Sequence, residues 1–143
     1  MPARIPPLQI SAYTATTAVG AGKAALRDAL AQSRSGLRAN DFGRDPLPTY
    51  IGRVAGLEDQ PLPPRMAEWD CRNNRLAWAG LQADGFLDAV AAARARYGAG
   101  RIALVLGTST SSIGETEAAY AALGAGGGFS PDHQRPRLHT PHS

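Results

Sequence analysis

The stretch LVLGTSTSSIGETE, from Leu104 to Glu117, passes from an apolar run through a turn of small residues into a segment of helical composition. The apolar run begins earlier, as RIALVLG over 101–107, and its apolar residues are consecutive rather than alternating. Consecutive apolar residues are typical of a strand that is buried on both faces. The sequence therefore predicts a buried strand over 101–107, followed by a short helix over 115–123.

The chain upstream of this stretch shows the same alternation of strand and helix. Ile, Tyr and Thr predict a strand over 8–16, and apolar residues at helical spacing predict a helix over 23–33 that Gly36 ends. A second short strand is predicted over 49–57. The prolines of EDQPLPP exclude a helix interior or a central strand directly after it.

The longest periodic segment predicts one helix from near Cys71 to Gly98. Asp70 stands at the position of an N-terminal cap, and Gly85 is expected to weaken the helix by about 1 kcal/mol relative to alanine. One face of this helix contains the apolar and small residues Leu76, Gly80, Ala83, Leu87 and Val90. Strands alternating with helices predict an α/β fold in which helices cover a sheet.

Length and composition favour a single globular domain. The chain has 143 residues, of which 43% are hydrophobic, and this share argues against wholesale disorder. We therefore expect one domain over 1–143. Its end, over 124–143, is predicted to be a loop-like tail, because it contains three prolines and no apolar period.

Charge and cysteine content exclude several classes of protein. The formal net charge is +3, the arginines are scattered and Lys23 is the only lysine, so no basic stripe for nucleic acid is predicted. No stretch approaches the roughly 18 apolar residues of a membrane span. The single cysteine, Cys71, excludes an internal disulfide and a multi-cysteine metal site and is consistent with a reducing cytoplasm. We expect a cytoplasmic protein.

Two nucleotide-binding motifs are incomplete in this chain. The segment VGAGKAA resembles a phosphate-binding loop, but Thr17 replaces its first glycine and Ala24 replaces its metal-binding hydroxyl. Gly98 and Gly100 precede a predicted strand instead of opening a helix, which excludes the dinucleotide fingerprint. The sequence therefore predicts no nucleotide cofactor.

Motifs for a nucleophile or a metal are also incomplete. GTSTS, over 107–111, has the position of a nucleophile elbow, but Ser111 replaces the second glycine of G-x-S-x-G. Cys71, at a helix start beside Arg72, is a candidate nucleophile with no histidine near it in sequence. The tail histidines lack metal-ligand spacing, and we predict no metal site from them: His133, His139 and His142.

Several segments together resemble the β-ketoacyl-[acyl-carrier-protein] synthase family of the thiolase-like superfamily. The family's opening strand, glycine turn, helix and exit are similar to ISAYTATTAVGAGKAALRDALAQSRSGLR, and its next helix start is similar to MAEWDCRNNRLAWAGL. The most specific similarity is that of LVLGTSTSSIGETE. The segment upstream of the family's active-site cysteine is similar to RPRLHTPHS. The resemblance extends from about Leu8 to Ser143.

The resemblance implies a thiolase-like fold, in which two similar α/β halves stack in layers and pair as a homodimer. This chain would supply part of the N-terminal half, a mixed sheet with covering helices, without the strands and central helix beyond residue 143. The implied reaction is the decarboxylative condensation of acyl and malonyl thioesters in fatty acid or polyketide-type biosynthesis. The implied partners are an acyl carrier protein and a second subunit or a complementing C-terminal half. No metal or organic cofactor is implied beyond the carrier's phosphopantetheine arm.

The family's catalytic residues have no counterpart in this chain. Its nucleophilic cysteine lies in a T-A-C-like stretch beyond Ser143 and its two histidines lie further on, so Cys71 and the tail histidines match none of them. We therefore predict no catalytic residue. The resemblance places an acyl-pocket turn at Gly107, Thr108, Ser109, Thr110 and Ser111, in which Thr110 borders the acyl chain. The small side chain of Thr110 implies either more room than a bulky residue would leave or a polar or polyunsaturated acyl chain.

Two functional hypotheses follow from the resemblance. In the first, the chain is the N-terminal part of a condensing enzyme and is inactive by itself. In the second, it is a non-catalytic binding protein with a ketosynthase-like scaffold, and its mild positive charge would suit an acidic partner. If the chain stops at Ser143, the run IALVL over 102–106 would lose its covering layer, and we expect aggregation or a need for a partner fragment.

Overall fold

The structure is a computed structural model, and it describes residues 7–43, 45–107, 112–123, 127–134 and 138. Within these ranges the chain forms four short strands, which are β1 (Thr16–Thr17), β2 (Gly20–Ala21), β3 (Leu37–Ala39) and β4 (Tyr50–Gly52). The same ranges contain four α-helices, which are α1 (Gly22–Ala31), α2 (Arg72–Gln82), α3 (Phe86–Tyr97) and α4 (Ile113–Ala121). Short 3-10 segments lie next to several of these helices.

The strands pair as two antiparallel hairpins. Thr16 is opposite Ala21 in the first hairpin, and Leu37 is opposite Gly52 in the second. The described residues therefore form two separate two-stranded sheets where one mixed sheet is predicted. The thiolase-like fold class itself stays a prediction.

The predicted strand over 8–16 is wrong for all but its last residue. Residues 7–15 have no regular secondary structure, and the side chains of Leu8 and Ile10 are 91% and 83% exposed. The β-branched and aromatic composition of this segment favours a strand only where neighbouring strands and side chains pack against it. The described part of the chain supplies no such neighbour.

The helix predicted over 23–33 is confirmed as α1. The main-chain N–H of Lys23, in its first turn, donates to Asp84 Oδ2 at 2.9 Å, so the helix is capped by an acid 61 residues away in sequence. The predicted terminator is wrong. Ser33, at a φ of 51°, takes the left-handed position after α1, where we expected Gly36 to end the helix.

The N-terminus of α1 predicts a specific response to acid. The Lys23 N–H and the Thr14 hydroxyl donate to Asp84, and the first of these bonds is the main cause that lowers the pKa of Asp84 below its ordinary 3.8. Folding therefore favours the ionised carboxylate. The resulting stability is present above the ordinary pKa and is lost as the pH falls through the lower pKa of the folded chain.

We expect Asp84→Asn to lower the denaturation midpoint at neutral pH and to flatten its fall between pH 5 and 2, a window set by carboxyl titration at about pH 4. Urea denaturation at a series of pH values measures both effects. Asp59→Asn is the matched control, because this exposed acid makes no hydrogen bond with the described residues. The same pH dependence in Asp84→Asn and in the unsubstituted chain would contradict the role of the cap.

The single helix predicted from Cys71 to Gly98 is wrong, because the chain breaks between α2 and α3. Asp84 and Gly85 adopt left-handed conformations with φ of 58° and 65°. Gly85 thus does not weaken a helix interior but directly precedes α3 in a conformation that glycine adopts readily. The predicted terminator is confirmed, since Gly98 follows α3 with a φ of 81°.

The cap predicted for α2 is also wrong. Cys71, not Asp70, occupies the N-cap position, and no side chain there bonds to the helix. Asp70 instead lies between the 3-10 turn Pro64–Trp69 and α2, where it pairs with Arg75. Its carboxylate therefore braces the bend between the two elements rather than capping the helix.

The buried strand predicted over 101–107 is wrong in this structure. Ala99–Arg101 form a 3-10 turn, and residues 102–107 have no strand partner among the described residues. Leu104, Val105 and Leu106 are 56%, 91% and 56% exposed. We call Ile102–Leu106 the apolar segment. No layer of the described chain covers it.

The last helix is confirmed, although α4 begins two residues before the predicted 115. After it, Phe129 packs edge-on against Tyr120, with ring centroids 5.3 Å apart. The hydroxyl of Ser112, just before α4, donates to the main-chain oxygen of Leu138. Residues 127–134 contain one 3-10 turn, Pro131–His133, and the remainder of the predicted tail over 124–143, apart from Leu138, lies outside the described residues.

The core of the chain is small. Among the described residues the buried apolar side chains are Ala29, Leu57, Leu62, Cys71, Ala119 and Leu138. The accessible surface is 11,101 Å², whereas a folded monomer of 14.9 kDa is expected to expose about 7,000 Å². The chain therefore presents much more surface than a self-sufficient domain of its mass.

Among the described residues, one buried side-chain hydroxyl group lacks a hydrogen-bond partner. The hydroxyl oxygen of Thr16 is buried without a hydrogen bond to the described residues, near Gly80 of α2. We expect Thr16→Val to raise the free energy of unfolding by about 1 kcal/mol, because valine keeps the shape and removes the unsatisfied group. Denaturant titration measures this change.

Thr17→Val is the control for that substitution. Thr17 accepts a hydrogen bond from the N–H of Val19 at 3.3 Å, so its loss is expected to lower the free energy of unfolding by about 0.5–1 kcal/mol. Equal changes in the two variants would contradict the distinction between a satisfied and an unsatisfied hydroxyl.

Candidate functional site

The predicted acyl-pocket turn falls mostly outside the described residues. Gly107, exposed at the end of the apolar segment, is described, whereas Thr108, Ser109, Thr110 and Ser111 are not. The role assigned to this turn by resemblance stays a prediction. The helix that follows it, α4, is described and places Glu115 beside the start of α2.

A polar cleft lies where the first turns of α2 and α4 meet, and we call it the α2 cleft. Its volume is about 440 Å³. It is lined by side chains from the loop before α2, from the start of α2 and from α4, which are Leu57, Glu58, Ala67, Asp70, Cys71, Arg72, Arg75 and Glu115. Two segments that were singled out in the sequence, over 66–81 and 104–117, therefore both contribute to the lining of this cleft.

Arg75 fixes the wall of the α2 cleft. Its Nε and Nη2 donate to the two carboxylate oxygens of Asp70 at 2.7 and 2.6 Å, and its Nη1 donates to the main-chain oxygen of Glu58 at 2.7 Å. The bond to Asp70 is the main cause that raises the pKa of Arg75 above its ordinary value. This bidentate pair holds the loop at Glu58 against the start of α2.

A second group of charges extends this wall across the surface. Glu58 accepts hydrogen bonds from Arg53 at 3.0 Å and from Arg72 at 3.1 Å, and Asp41 accepts from Arg53 at 3.1 Å and from Arg38 at 2.7 Å. The bond from Arg53 is the main cause that lowers the pKa of Asp41. Three guanidinium groups and two carboxylates alternate along the surface, so each carboxylate lies between two arginines and the group keeps a net charge of +1.

The ring of Phe42 lies beside this charged group. The guanidinium carbons of Arg72 and Arg53 are 5.2 and 5.8 Å from the ring centroid, within the range of cation–π contacts. The pKa of Glu58 is lowered first by its own main-chain N–H and then by Arg72. These contacts join the loop after β3, the loop after β4 and α2 into one unit.

Among the described residues that line the α2 cleft, Cys71 is the only nucleophilic side chain. It is 4% exposed, and no histidine lies among the residues that line the cleft. The described histidine, His133, lies in the tail, and His139 and His142 are outside the described residues. The cleft thus brings a buried thiol and three carboxylates together without an imidazole to accept the thiol proton.

The charged side chains of the α2 cleft therefore hold the loop before α2 against the start of that helix. Both arginines that line it, Arg72 and Arg75, are bound by carboxylates. In the described part of the chain, no group of three or more His, Cys, Asp or Glu side chains could hold a metal ion. Among the described residues we find no helix with the length and apolar character of a transmembrane span.

Sequence reasoning missed most of the residues that build this site. Glu58, Asp41 and Arg53 lie in loops, and their partners are 5 to 17 residues away in the chain. The spacing of Arg38 and Asp41, three residues apart, was the only local signal. Asp70 and Cys71 were singled out by sequence, but for capping and nucleophilic roles that the described contacts do not support.

A second concave feature, the α1 groove, is apolar. It lies between α1 and the two hairpins, with a volume of about 190 Å³. Thr17–Val19, Arg34 and Gly36–Leu37 line it together with one face of α1, formed by Leu26, Ala29 and Leu30. Leu30 and Leu37 at its rim are 72% and 61% exposed.

Comparisons with known proteins identify no relative of this chain. A scan against protein-family models, a search of curated proteins and a search of solved structures each return no match. The function is therefore inferred from the residues and their contacts.

Proposed function

We propose that the chain forms the N-terminal part of a 3-oxoacyl-[acyl-carrier-protein] synthase that works in the cytoplasm. The proposal starts from the similarity of four segments to this family. The single structural observation that supports it most is the uncovered apolar segment, with Val105 91% exposed, in a chain whose accessible surface far exceeds that of a self-sufficient domain. Such a segment needs a covering layer, and the first half of a two-layered enzyme would receive one from the rest of the fold.

The free energy lost when apolar surface stays in water favours a covering layer for this segment. At about 25 cal/mol per Å², 400 Å² of apolar surface left in water forfeits on the order of 10 kcal/mol. The net stability of a domain is of the same size. A strand pairing with residues 102–106 would both bury their side chains and satisfy their main-chain hydrogen-bonding groups.

In this proposal the chemistry is done by residues outside the chain. A cysteine thiolate attacks the acyl thioester of the carrier and expels the carrier's thiol. Loss of carbon dioxide from a malonyl thioester then gives an enolate, whose carbon attacks the enzyme-bound acyl carbon and expels the cysteine. Two histidines assist the decarboxylation and stabilise the developing negative charge. Cys71 is buried at the start of α2, so it is not proposed as this nucleophile.

The chain's own contribution in this proposal is to build part of the acyl pocket and to hold α2 against the loop before it. Thr110 borders the acyl chain, and Arg75 joins the start of α2 to Asp70 and to the main-chain oxygen of Glu58. An acyl carrier protein delivers the substrates, and the complete enzyme pairs as a homodimer. No cofactor beyond the carrier's phosphopantetheine arm is needed for the condensation.

Capture from the source cells tests the proposal. An antibody to this chain is used to isolate the native protein, whose intact mass and condensing activity with acyl- and malonyl-carrier substrates are measured. We expect the activity to be captured with a species, or a complex, larger than 14.9 kDa. Capture in the presence of excess purified chain is the control and should remove the activity.

One result of the capture experiment would contradict the proposal. A captured species of 14.9 kDa without a companion polypeptide and without condensing activity would overturn the enzyme proposal. The same result would favour a non-catalytic binding protein.

Substitution at the predicted pocket turn tests its role in the active complex. We expect Thr110→Phe to shorten the longest acyl chain that the enzyme extends, because an aromatic ring takes the space left by threonine. Competition between short and long acyl substrates measures the shift. Unchanged product length would contradict the assignment of Thr110 to the pocket.

A further inference from the structure

Three residues separate α2 from α3, and two of them have a left-handed main chain. Ala83 is extended, with φ of −76° and ψ of 155°, and Asp84 and Gly85 have φ of 58° and 65°. Glycine adopts the left-handed conformation readily, whereas for a residue with a Cβ it costs energy, even though aspartate tolerates it better than most. The break between the two helices is therefore strained at residue 84.

The apolar and small residues of the two helices stay in phase across this break. Their spacing is four, three, four and three residues, and it runs through residues 83–85 without a shift, at Leu76, Gly80, Ala83, Leu87 and Val90. Such spacing is that of one face of a continuous helix. The sequence of residues 72–97 therefore also suits a single helix, although the structure contains two.

The contacts of the Asp84 side chain come from the N-terminal part of the chain. The hydroxyl of Thr14 donates to Asp84 Oδ2 at 2.9 Å, and the main-chain N–H of Lys23 donates to the same oxygen at 2.9 Å. Both donors lie outside α2 and α3, in α1 and in the segment before it. The residue that marks the break is thus bound to another element of the fold.

The second helix of the pair, α3, is weakly anchored. All residues of α3 are described, and none of them is buried. Leu87, on the face that continues from α2, is 37% exposed. This helix can therefore change direction without opening a cavity in a filled core.

We propose that residues 72–97 have two conformations, and that they become one continuous helix when Asp84 is released from α1. In the broken form, the bonds from Thr14 and Lys23 hold the Asp84 side chain and stabilise the left-handed main chain. In the straight form, residues 84 and 85 are right-handed, and their main-chain groups join the helical hydrogen-bond pattern. The device is a conformational switch in which a contact with α1 selects the form.

The switch changes the position of the apolar segment. This segment follows α3 after the 3-10 turn Ala99–Arg101, so its place relative to the α2 cleft depends on the angle between α2 and α3. The straight form over residues 72–97 is about 39 Å long at 1.5 Å per residue, with the α2 cleft at its start and the apolar segment beyond its end. The switch does not depend on the enzyme proposal, because it is measured on this chain alone.

Nuclear magnetic resonance of the full chain tests the switch through Asp84→Ala. This substitution removes both hydrogen bonds and introduces a residue that favours helix. In the unsubstituted chain we expect strong intraresidue NOEs between the amide and α protons of residues 84 and 85, because a positive φ brings these protons close together. In Asp84→Ala we expect these NOEs to weaken, and helical NOEs between residues i and i+3 to appear across residues 82–86.

A remote substitution separates the contact from the helix propensity of residue 84. Thr14→Val leaves residues 72–97 unchanged and removes one of the two bonds, so we expect the signals of both forms in one spectrum. Thr17→Val is the matched control, because the hydroxyl of Thr17 accepts from the N–H of Val19 and not from Asp84. The control should show the broken form alone.

Two results with Asp84→Ala would overturn the proposal. The first is that residues 84 and 85 keep the NOEs of a positive φ, and the second is that α3 takes random-coil chemical shifts instead of joining α2. A Thr14→Val spectrum identical to that of Thr17→Val would also overturn it, because the switch would then not respond to the contact with α1.

Gly85→Ala replaces Asp84→Ala if the latter loses the signals of α1. A Cβ at Gly85 meets nothing within 4 Å, so alanine there disfavours the left-handed main chain without a clash and leaves both bonds to Asp84 in place. We expect Gly85→Ala to show the helical NOEs across residues 82–86. Gly98→Ala, at a glycine of positive φ after α3 that is equally open, is the control and should keep the break. A positive φ at residue 85 in Gly85→Ala would overturn the switch.

Discussion

Replacing Leu57 by alanine is expected to lower the free energy of unfolding by about 2–5 kcal/mol. Leu57 is 2% exposed and is one of the two largest fully buried side chains among the described residues. It also forms part of the wall of the α2 cleft beside Glu58, so its loss opens a void next to the charged junction. Because few residues share this core, little repacking is available to offset the cavity. Denaturant titration followed by circular dichroism measures the change.

Leu47→Ala is the matched control for Leu57→Ala. Leu47 is 73% exposed, and its substitution is expected to change the free energy of unfolding by less than about 0.5 kcal/mol. If both variants were equally stable, Leu57 would not be a core residue and the small core described above would be incorrect.

Replacing Gly36 by alanine is expected to lower the free energy of unfolding by about 1–3 kcal/mol. A Cβ on Gly36 would lie 2.7 Å from the main-chain carbonyl carbon of Ala18 and 2.9 Å from its Cβ. Main-chain atoms cannot rotate away as a flexible side chain can, so the two hairpins must separate. The first pair of the second hairpin, Leu37 with Gly52, directly follows Gly36 and would shift with it.

Gly100→Ala is the control for Gly36→Ala. Nothing lies within 4 Å of a Cβ at Gly100, and its φ is outside the left-handed region. We expect this variant to be neutral or up to about 1 kcal/mol more stable, because alanine reduces the conformational entropy of the unfolded chain. Equal losses in both glycine variants would indicate a general effect of alanine rather than the contact with Ala18.

The helices that sequence reasoning located correctly are determined by local signals. The apolar spacing within 23–33 predicts α1 to within two residues, and Gly98 marks the end of α3. The start of α4 was predicted two residues late. A helix closes its hydrogen bonds within its own segment, so a window of ten residues contains most of the necessary information.

The break between α2 and α3 depends on information that is remote in the chain. Asp84 accepts a hydrogen bond from the N–H of Lys23 in the first turn of α1, and its own main chain is left-handed at the break between α2 and α3. The hydrophobic periodicity of residues 71–98 gives no indication that Asp84 bonds to Lys23, which lies 61 residues earlier in the chain. A local pattern therefore predicts one continuous helix where a tertiary contact favours two.

The same argument explains the failure over 101–107. An apolar run indicates that a segment is suited to burial, but a strand also needs a neighbour that supplies its hydrogen-bonding partners. The described residues around Val105 supply none, and the segment is exposed. The composition of residues 101–107 correctly indicates a segment suited to burial, but the prediction of a buried strand is wrong for this structure.

The candidate site was predictable only in part. The two segments that line the α2 cleft were both singled out by sequence, but their residues Cys71 and Glu115 are far apart in the chain, and sequence did not predict that they would line the same cleft. The bracing pairs of Arg75 with Asp70 and of Arg72 with Glu58 depend on how the loop before α2 folds. Charge patterns at helical spacing do not reveal such pairs.

Because Cys71 is buried, its reaction with a thiol reagent measures local opening at the start of α2. It is the only cysteine in the chain and is 4% exposed, so a thiol reagent reaches it only in molecules in which α2 has moved away from its neighbours. When closing is faster than labelling, the alkylation rate divided by that of an unfolded thiol equals the fraction of open molecules. The alkylation rate of this one natural thiol thus reports, without an introduced cysteine, the fraction of molecules in which the start of α2 is open.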